Sequence, residues 1–275
     1  MPCPKEEHQF ISRWYPNDFP FPDSWRITDG YFGYLPKDAH AIFLGTFPVP
    51  YYEGANFFYH SQRNMFWELI TAVSGVSFNS IDEKLNWFED KKIGITDIVR
   101  VAQRKDQSCR SASDANLNVC QFNDICRLLS DFPNIKDIYL TSGSPSNLNF
   151  SGNSAGGFLG QALRHCSGQR TVRRYNKSFS TSSFYFNDRE IRLFYLYTPS
   201  NNNQQLRLHL QNVSEVITSG VKNIFGFNDV ANNFKALQWS WCLKHANNVV
   251  MNSILTHPNY DKYTSTFPQY NKNQQ

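Results

Sequence analysis

The chain has 275 residues, with 27 Lys+Arg against 23 Asp+Glu and a net charge of +4. Aromatic residues make up 16% (Phe 23, Tyr 14, Trp 6), a ring content that excludes a disordered chain. No apolar run approaches the roughly eighteen residues that a membrane-spanning helix needs. The opening MPCPKEEHQF places acids where a secretory signal needs a basic end and an apolar stretch. Six cysteines (Cys3, Cys109, Cys120, Cys126, Cys166, Cys242) include no C-x-x-C pair. Sparse, irregular spacing of this kind predicts reduced thiols and a cytoplasmic protein, with neither a disulfide frame nor a zinc site. The mild positive charge permits a nucleic-acid partner without demanding one.

In chain order, residues 1–38 are dense in Pro and aromatics and predict an extended arm whose rings pack on the domain. AIFLGTF from Ala41 reads as a buried strand, and NMFWELITAVSG as a helix with Phe66, Leu69, Ile70 and Val73 on one face and Gly75 as its stop. IGITDIV (93–99) is a second strand, FNDICRLLSDFPNI (122–135) a helix stopped by Pro133, and DIYLTSG (137–143) a third strand. GGFLGQALRHC (156–166) reads as a helix, RLFYLYTPS (192–200) as a fourth strand, and LRLHLQNVSEVITSG (206–220) as the helix that follows. The segment from Val230 predicts one long closing helix or two. Strands alternating with helices predict a three-layer αβα sandwich on a mostly parallel four-stranded sheet. The domain spans 39–256, and 257–275 form a flexible tail. In such sheets ligands sit beyond the carboxyl ends of the strands, which directs attention to GTFPVPYYEG, DIVRVAQRKDQS, TSGSPSN and TPSNNNQQ.

The segment LGTFPVPYYEGANFFYHSQRNMFWELI (44–70) joins a strand, Gly-x-x-Pro, an aromatic loop and Arg63-Asn64-Met65-Phe66-Trp67 at a helix start. This resembles the first motif of the uracil-DNA glycosylase superfamily, most closely its hypoxanthine-acting and mismatch-acting branches. GITDIVRVAQRKDQSCRSASDANL is similar to the family's second-strand segment, and FNDICRLLSDFPNIKDIYLTSGS to its helix and third strand. LYTPSNNN (196–203) is similar in place and character to its second motif. Four motifs in the family's order cover roughly residues 40–245.

The resemblance implies a monofunctional DNA glycosylase that hydrolyses the bond to a deaminated base, uracil or hypoxanthine, flipped out of DNA. It needs no cofactor, metal or iron–sulfur cluster and acts as a monomer on DNA, away from membranes. Such chemistry requires a polar group to place water and donors for the departing base. Asn64 is the implied water-holding residue, though an N-cap would use the same side chain. His60 is a second candidate for polar assistance. Phe47 stands where uracil- and mismatch-acting relatives keep Asn or Asp, an apolar choice shared with the hypoxanthine-acting branch. Gly45 and Pro48 shape that loop, Phe58 is the implied stacking ring, and Ser142 reads the base edge where relatives use Asn. Thr198, Ser200 and Asn203 are implied to grip the strand, and Leu206 and Leu208 read as helix-core residues, either of which could instead wedge into the vacated space. Arg100, Arg104, Lys105 and Arg110 form one basic cluster, and Arg164, Arg170, Arg173, Arg174 and Lys177 another. Arg100, Arg104, Arg173 and Arg174 are the expected phosphate contacts. No lysine lies within the motif loops to form a Schiff base, hence the monofunctional expectation. Two other readings stay open: a DNA-binding member of the fold without catalysis, and an unrelated α/β hydrolase acting on free nucleosides.

Overall fold

The computed structural model describes residues 2–12, 23–50, 57–61, 64–106, 108–111, 113–141, 155–164, 172–174, 181–200, 203–211 and 213–247. The N-terminal part holds β1 (Lys5–Glu7), α1 (Gln9–Ser12), β2 (Trp25–Ile27), β3 (Phe32–Tyr34) and β4 (Ala41–Gly45). Then come α2 (Phe66–Ser74), α3 (Ile81–Lys91), β5 (Ile93–Asp97), β6 (Val99–Arg104), β7 (Leu117–Phe122), α4 (Ile125–Asp131) and β8 (Asp137–Leu140). The remainder is α5 (Ala155–Leu163), β9 (Val172–Arg174), β10 (Thr181–Phe186), β11 (Arg189–Tyr195), α6 (Gln204–Leu210), α7 (Glu215–Phe225) and α8 (Val230–Asn247).

Strands β5, β4, β8 and β11 lie side by side and pair in parallel. β4, β5 and β8 are short runs buried on both faces, and β11 is so over its last three residues, so their apolar stretches read as continuous rather than alternating. The alternation appears in where the side chains go. Ala41, Phe43, Ile93, Ile95, Tyr139 and Phe194 point to one layer, with Phe66, Leu69 and Val73 of α2, Leu85 and Phe88 of α3, and Ala236 and Trp239 of α8. Ile42, Leu44, Ile138, Leu140, Leu193 and Tyr195 point to the other, with Leu128 and Leu129 of α4 and Phe158 and Leu159 of α5. The period of two along each strand thus builds two cores from one sheet. The helix α2 ends where Gly75 adopts a left-handed conformation (φ 72°) and its N–H returns to Thr71 O.

Several expectations change. Among the described residues the sheet is not four-stranded but has eight strands in the order β2-β3-β5-β4-β8-β11-β10-β9, and it is mixed. Antiparallel pairs flank the parallel centre, β2 and β3 on one side and β10 and β9 on the other. Their short or polar sequences carry little strand signal. Two of these flanking strands come from the segment read as an extended arm, whose Phe10, Trp25, Phe32 and Tyr34 are core residues. The second strand stops at Asp97, and the residues read as a basic loop form β6 of a separate antiparallel sheet, β1-β6-β7. A half-buried strand with charged residues between its apolar ones looks like a loop in sequence. The helix expected over 206–220 is two, α6 and α7, because Ser214 is extended (φ −60°, ψ 148°). From Val230 a single helix runs to Asn247, and the tail 257–275 lies outside the described residues. Cys3 and Cys109 form a disulfide across 106 positions, which overturns the expectation of reduced thiols and removes the cysteine argument for a reducing compartment. Cys120 and Cys242 are free thiols. No helix among the described residues is long and apolar enough to cross a membrane.

Candidate active site

The carboxyl ends of β4 and β5 open onto a cavity of about 80 Å³ lined by residues of 46–49 and 57–61 together with Gln9, Asn64 and Asp97. One water needs about 10–15 Å³ on this measure, so the space takes several waters. It is the scale of one small ring system.

Two loops separated in sequence meet at its side. Asn64 and Ser200 form an isolated antiparallel bridge, and Met65 N donates to Pro199 O at 2.8 Å. From behind, Lys235 of α8 donates to Ser200 O at 2.6 Å. Burial pulls that ammonium down to about 8. Asn64 is half-buried and sits just before the N-cap Met65, and its Oδ1 accepts from Phe66 N, the first residue of α2, at 2.9 Å. An amide oxygen has two lone pairs and the nitrogen two donors. That contact therefore uses one of the side chain's hydrogen-bonding positions.

Polar groups surround Gly45. A Cβ there would overlap both Asp97 Oδ1 and Tyr59 Oη, so the close approach of carboxylate and phenol requires glycine. Tyr59 Oη and Thr141 Oγ1 share a hydrogen bond of 2.8 Å. Burial, with the Asp97 charge adding to it, holds this phenol well above its ordinary value and keeps it protonated. Thr46 Oγ1 donates to Asp114 Oδ2 at 3.0 Å. Asp97 itself is buried, and its Oδ2 lies 2.8 Å from Nε2 of His8, which is wholly buried. Strand β1 brings His8 there by pairing with β6, and His8 N donates to Arg100 O.

His60 also lines the cavity, 2.8 Å from Lys84 Nζ on α3. Burial and then the Lys84 charge lower the imidazole's pKa, and burial lowers that of Lys84. Phe47 lines the wall, edge-on to His8 at 5.7 Å. Phe58 reaches the same wall, yet it is 1% exposed and packed against Phe10 and Phe57. Pro48 turns its carbonyl away from the cavity's polar groups, to Arg104 at 3.0 Å.

Arg104 is corrected as a phosphate ligand. It is 3% exposed, paired with Glu6, and bonded to Ser111 O, with its guanidinium 5.7 Å from the Phe47 ring. It braces the 46–50 loop from inside. Asn203 is corrected too. It is buried, and its Nδ2 serves Asp229 at 2.8 Å and Asn232 at 2.7 Å, fastening α6 to the start of α8. Arg100 holds the Thr28 carbonyl at 2.8 Å and that of Asp29 at 3.3 Å. Thr198 is exposed and its Oγ1 accepts from Ser200 N. Leu206 is buried, whereas Leu208 is 53% exposed on α6. Arg173 and Arg174 stand on edge strand β9. Ser142 lies outside the described residues, as do Arg63, Arg170 and Lys177.

The sequence reading passed over Asp97, His8, Tyr59 and Thr141. Asp97 carried a signal, a lone carboxylate at the end of a buried strand. His8 carried none, since its partner is 89 residues away. Among the described residues no group of three or more His, Cys, Asp or Glu side chains could hold a metal ion.

No protein-family profile and no curated protein matches this sequence. Among solved structures, the solution NMR structure of a putative uracil DNA glycosylase from Methanosarcina acetivorans aligns over 78% of this chain and 96% of that one. The identity is 15% and the TM-score 0.44. That likeness is too slight to carry a fold or an activity.

Proposed function

We propose that this protein is a monofunctional DNA glycosylase that removes a deaminated base, uracil or hypoxanthine, by direct attack of water. The observation that carries the reading is the Asn64–Ser200 bridge beside a small cavity at the carboxyl ends of β4 and β5. Two loops that resemble the two motifs of one glycosylase family lie 136 positions apart in sequence (64 and 200) and meet where that chemistry would need them. The cavity suits one flipped base rather than a longer ligand. Asn64 holds the water, Phe58 and Phe47 supply aromatic wall, and Ser142 reads the base edge. Thr198 and Ser200 meet the strand, and the exposed Leu208 fills the gap left in the duplex. Arg100, Arg173 and Arg174 are the phosphate contacts that remain, making binding salt-dependent.

Release of free base from duplexes containing uracil or hypoxanthine, measured beside Asn64→Ala, tests the reading. Base release by the native protein and its loss in the variant are expected. Equal rates would remove Asn64 from the mechanism. Borohydride should trap no covalent protein–DNA adduct, since water and not an amine attacks the sugar. A second reading, DNA binding without catalysis, is favoured by Phe47, which leaves the first loop without an acid or amide at its third position. Salt-dependent binding with no base release would select it.

A further inference from the structure

We propose that Asp97 is the catalytic carboxylate that takes the proton from the attacking water, and that His8 is the positioning residue that aims it. This rests on the glycosylase reading above. Asp97 ends β5 directly opposite Gly45, its register partner on β4, and it borders the cavity together with Phe47 and Asn64. A carboxylate from the neighbouring strand therefore stands next to the loop whose own third residue is apolar.

The orientation of that carboxylate is fixed at one oxygen only. His8 Nδ1 accepts the Phe10 backbone N–H at 3.0 Å, which leaves the ring proton on Nε2, where it is donated to Asp97 Oδ2. The imidazole is held by Phe32 at 4.4 Å and by the edge contact with Phe47. It is locked at both nitrogens and by its flanking rings. Asp97 Oδ1 accepts no hydrogen bond among the described residues and lies against Gly45 beside the Tyr59 hydroxyl, in a residue that lines the cavity. A buried carboxylate with one oxygen unpaired is costly. An asparagine would satisfy the His8 donor equally well, so stability alone gives no reason for the charge.

In the reaction, the oxygen of water bonds to the sugar C1′ as one of its protons passes to Asp97 Oδ1. The C1′–N bond breaks and its electron pair leaves on the base. The base nitrogen takes a proton from solvent and Asp97 returns its own to solvent. The net change is addition of one water across the C1′–N bond. The negative carboxylate also faces the positive charge that gathers on the sugar.

The test uses the full-length protein and two readouts: single-turnover base release, and affinity for duplexes carrying either a cationic pyrrolidine or a neutral tetrahydrofuran in place of the target sugar. The native protein should bind the cationic duplex at least tenfold more tightly. Asp97→Asn should slow release by about 10²–10⁴-fold, the range for a general base, and abolish the cationic preference. Its affinity for the neutral duplex should stay within twofold, which shows that the variant is folded. His8→Ala should slow release at least tenfold with the neutral affinity unchanged, and His8→Gln, which keeps a donor, should restore most of the rate. Native-like release by Asp97→Asn overturns the inference while leaving the glycosylase reading intact. A native protein that releases no base but shows a cationic preference that Asp97→Asn loses retains the charged site and ends the enzyme reading. If the native protein binds neither duplex, both fall.

Discussion

The two ends of the parallel sheet each bury one carboxylate with a basic partner, and the surroundings separate their roles. At the amino end, Asp137 of β8 is fully buried and takes two hydrogen bonds from Arg192 of β11, at 2.6 and 2.8 Å. Both of its oxygens are used, and neither residue borders the cavity. At the carboxyl end, Asp97 has one oxygen engaged by His8, and the residue lines the cavity. Polar groups that only hold a fold tend to be saturated. Groups that act on a ligand keep capacity in reserve. The contrast agrees with the rule that parallel sheets bind ligands at their carboxyl ends.

Substitutions at the two ends should therefore separate chemistry from stability. The largest effect expected is the loss of about 10²–10⁴ in rate for Asp97→Asn, with little change in melting temperature. Arg192→Met is the mirror case. It should cost about 3 kcal/mol of stability by stranding a buried charge, read by urea titration, while base release below the melting transition stays native. Removing the disulfide by Cys3→Ser combines the two. It should cost about 2–4 kcal/mol through the freedom regained by a long loop, and it should slow base release, because β1 carries the segment that presents His8. Equal rates in Cys3→Ser and native protein would make the covalent tie irrelevant to the cavity end. The smallest effect concerns pH. Burial pushes Asp137 up to about 6 against the opposing pull of Arg192. A native carboxyl raised above its unfolded value near 3.9 gives stability that is present below about pH 4 and lost as pH rises through 6. That component amounts to at most about 3 kcal/mol. Asp137→Asn should flatten this decline between pH 4 and 6 in chemical denaturation.

Legibility in the sequence followed the range of the interaction involved. The four inner strands were readable because burial on both faces leaves short apolar runs such as AIFLG and DIYL. Helix α2 was readable because Phe66, Leu69, Ile70 and Val73 repeat within nine residues. Strands β6 and β7 were not, since their partners, not their composition, make them strands. Arg104 looked like surface charge among RKDQS, yet Glu6, 98 residues away, and the Pro48 carbonyl draw it inside. Asn203 looked like a loop donor, and its partners are Asp229, just before α8, and Asn232 in the first turn of that helix, which begins 27 positions later. The convergence of the loops after the first and fourth inner strands was legible from the strands' shared carboxyl ends, and the family resemblance singled out positions 64 and 200 within them. Of the His8–Asp97 pair only the carboxylate at the strand end had a local trace, and its partner 89 residues away had none.

Position 45 carries a consequence for the gene as well as for the site. The carboxylate of Asp97 and the phenol of Tyr59 both occupy the volume that any other side chain would claim. If every codon were sampled there, selection for function should return only the four that encode glycine. A single missing methyl group would then mark the reaction centre in a mutational survey before any substrate had been identified.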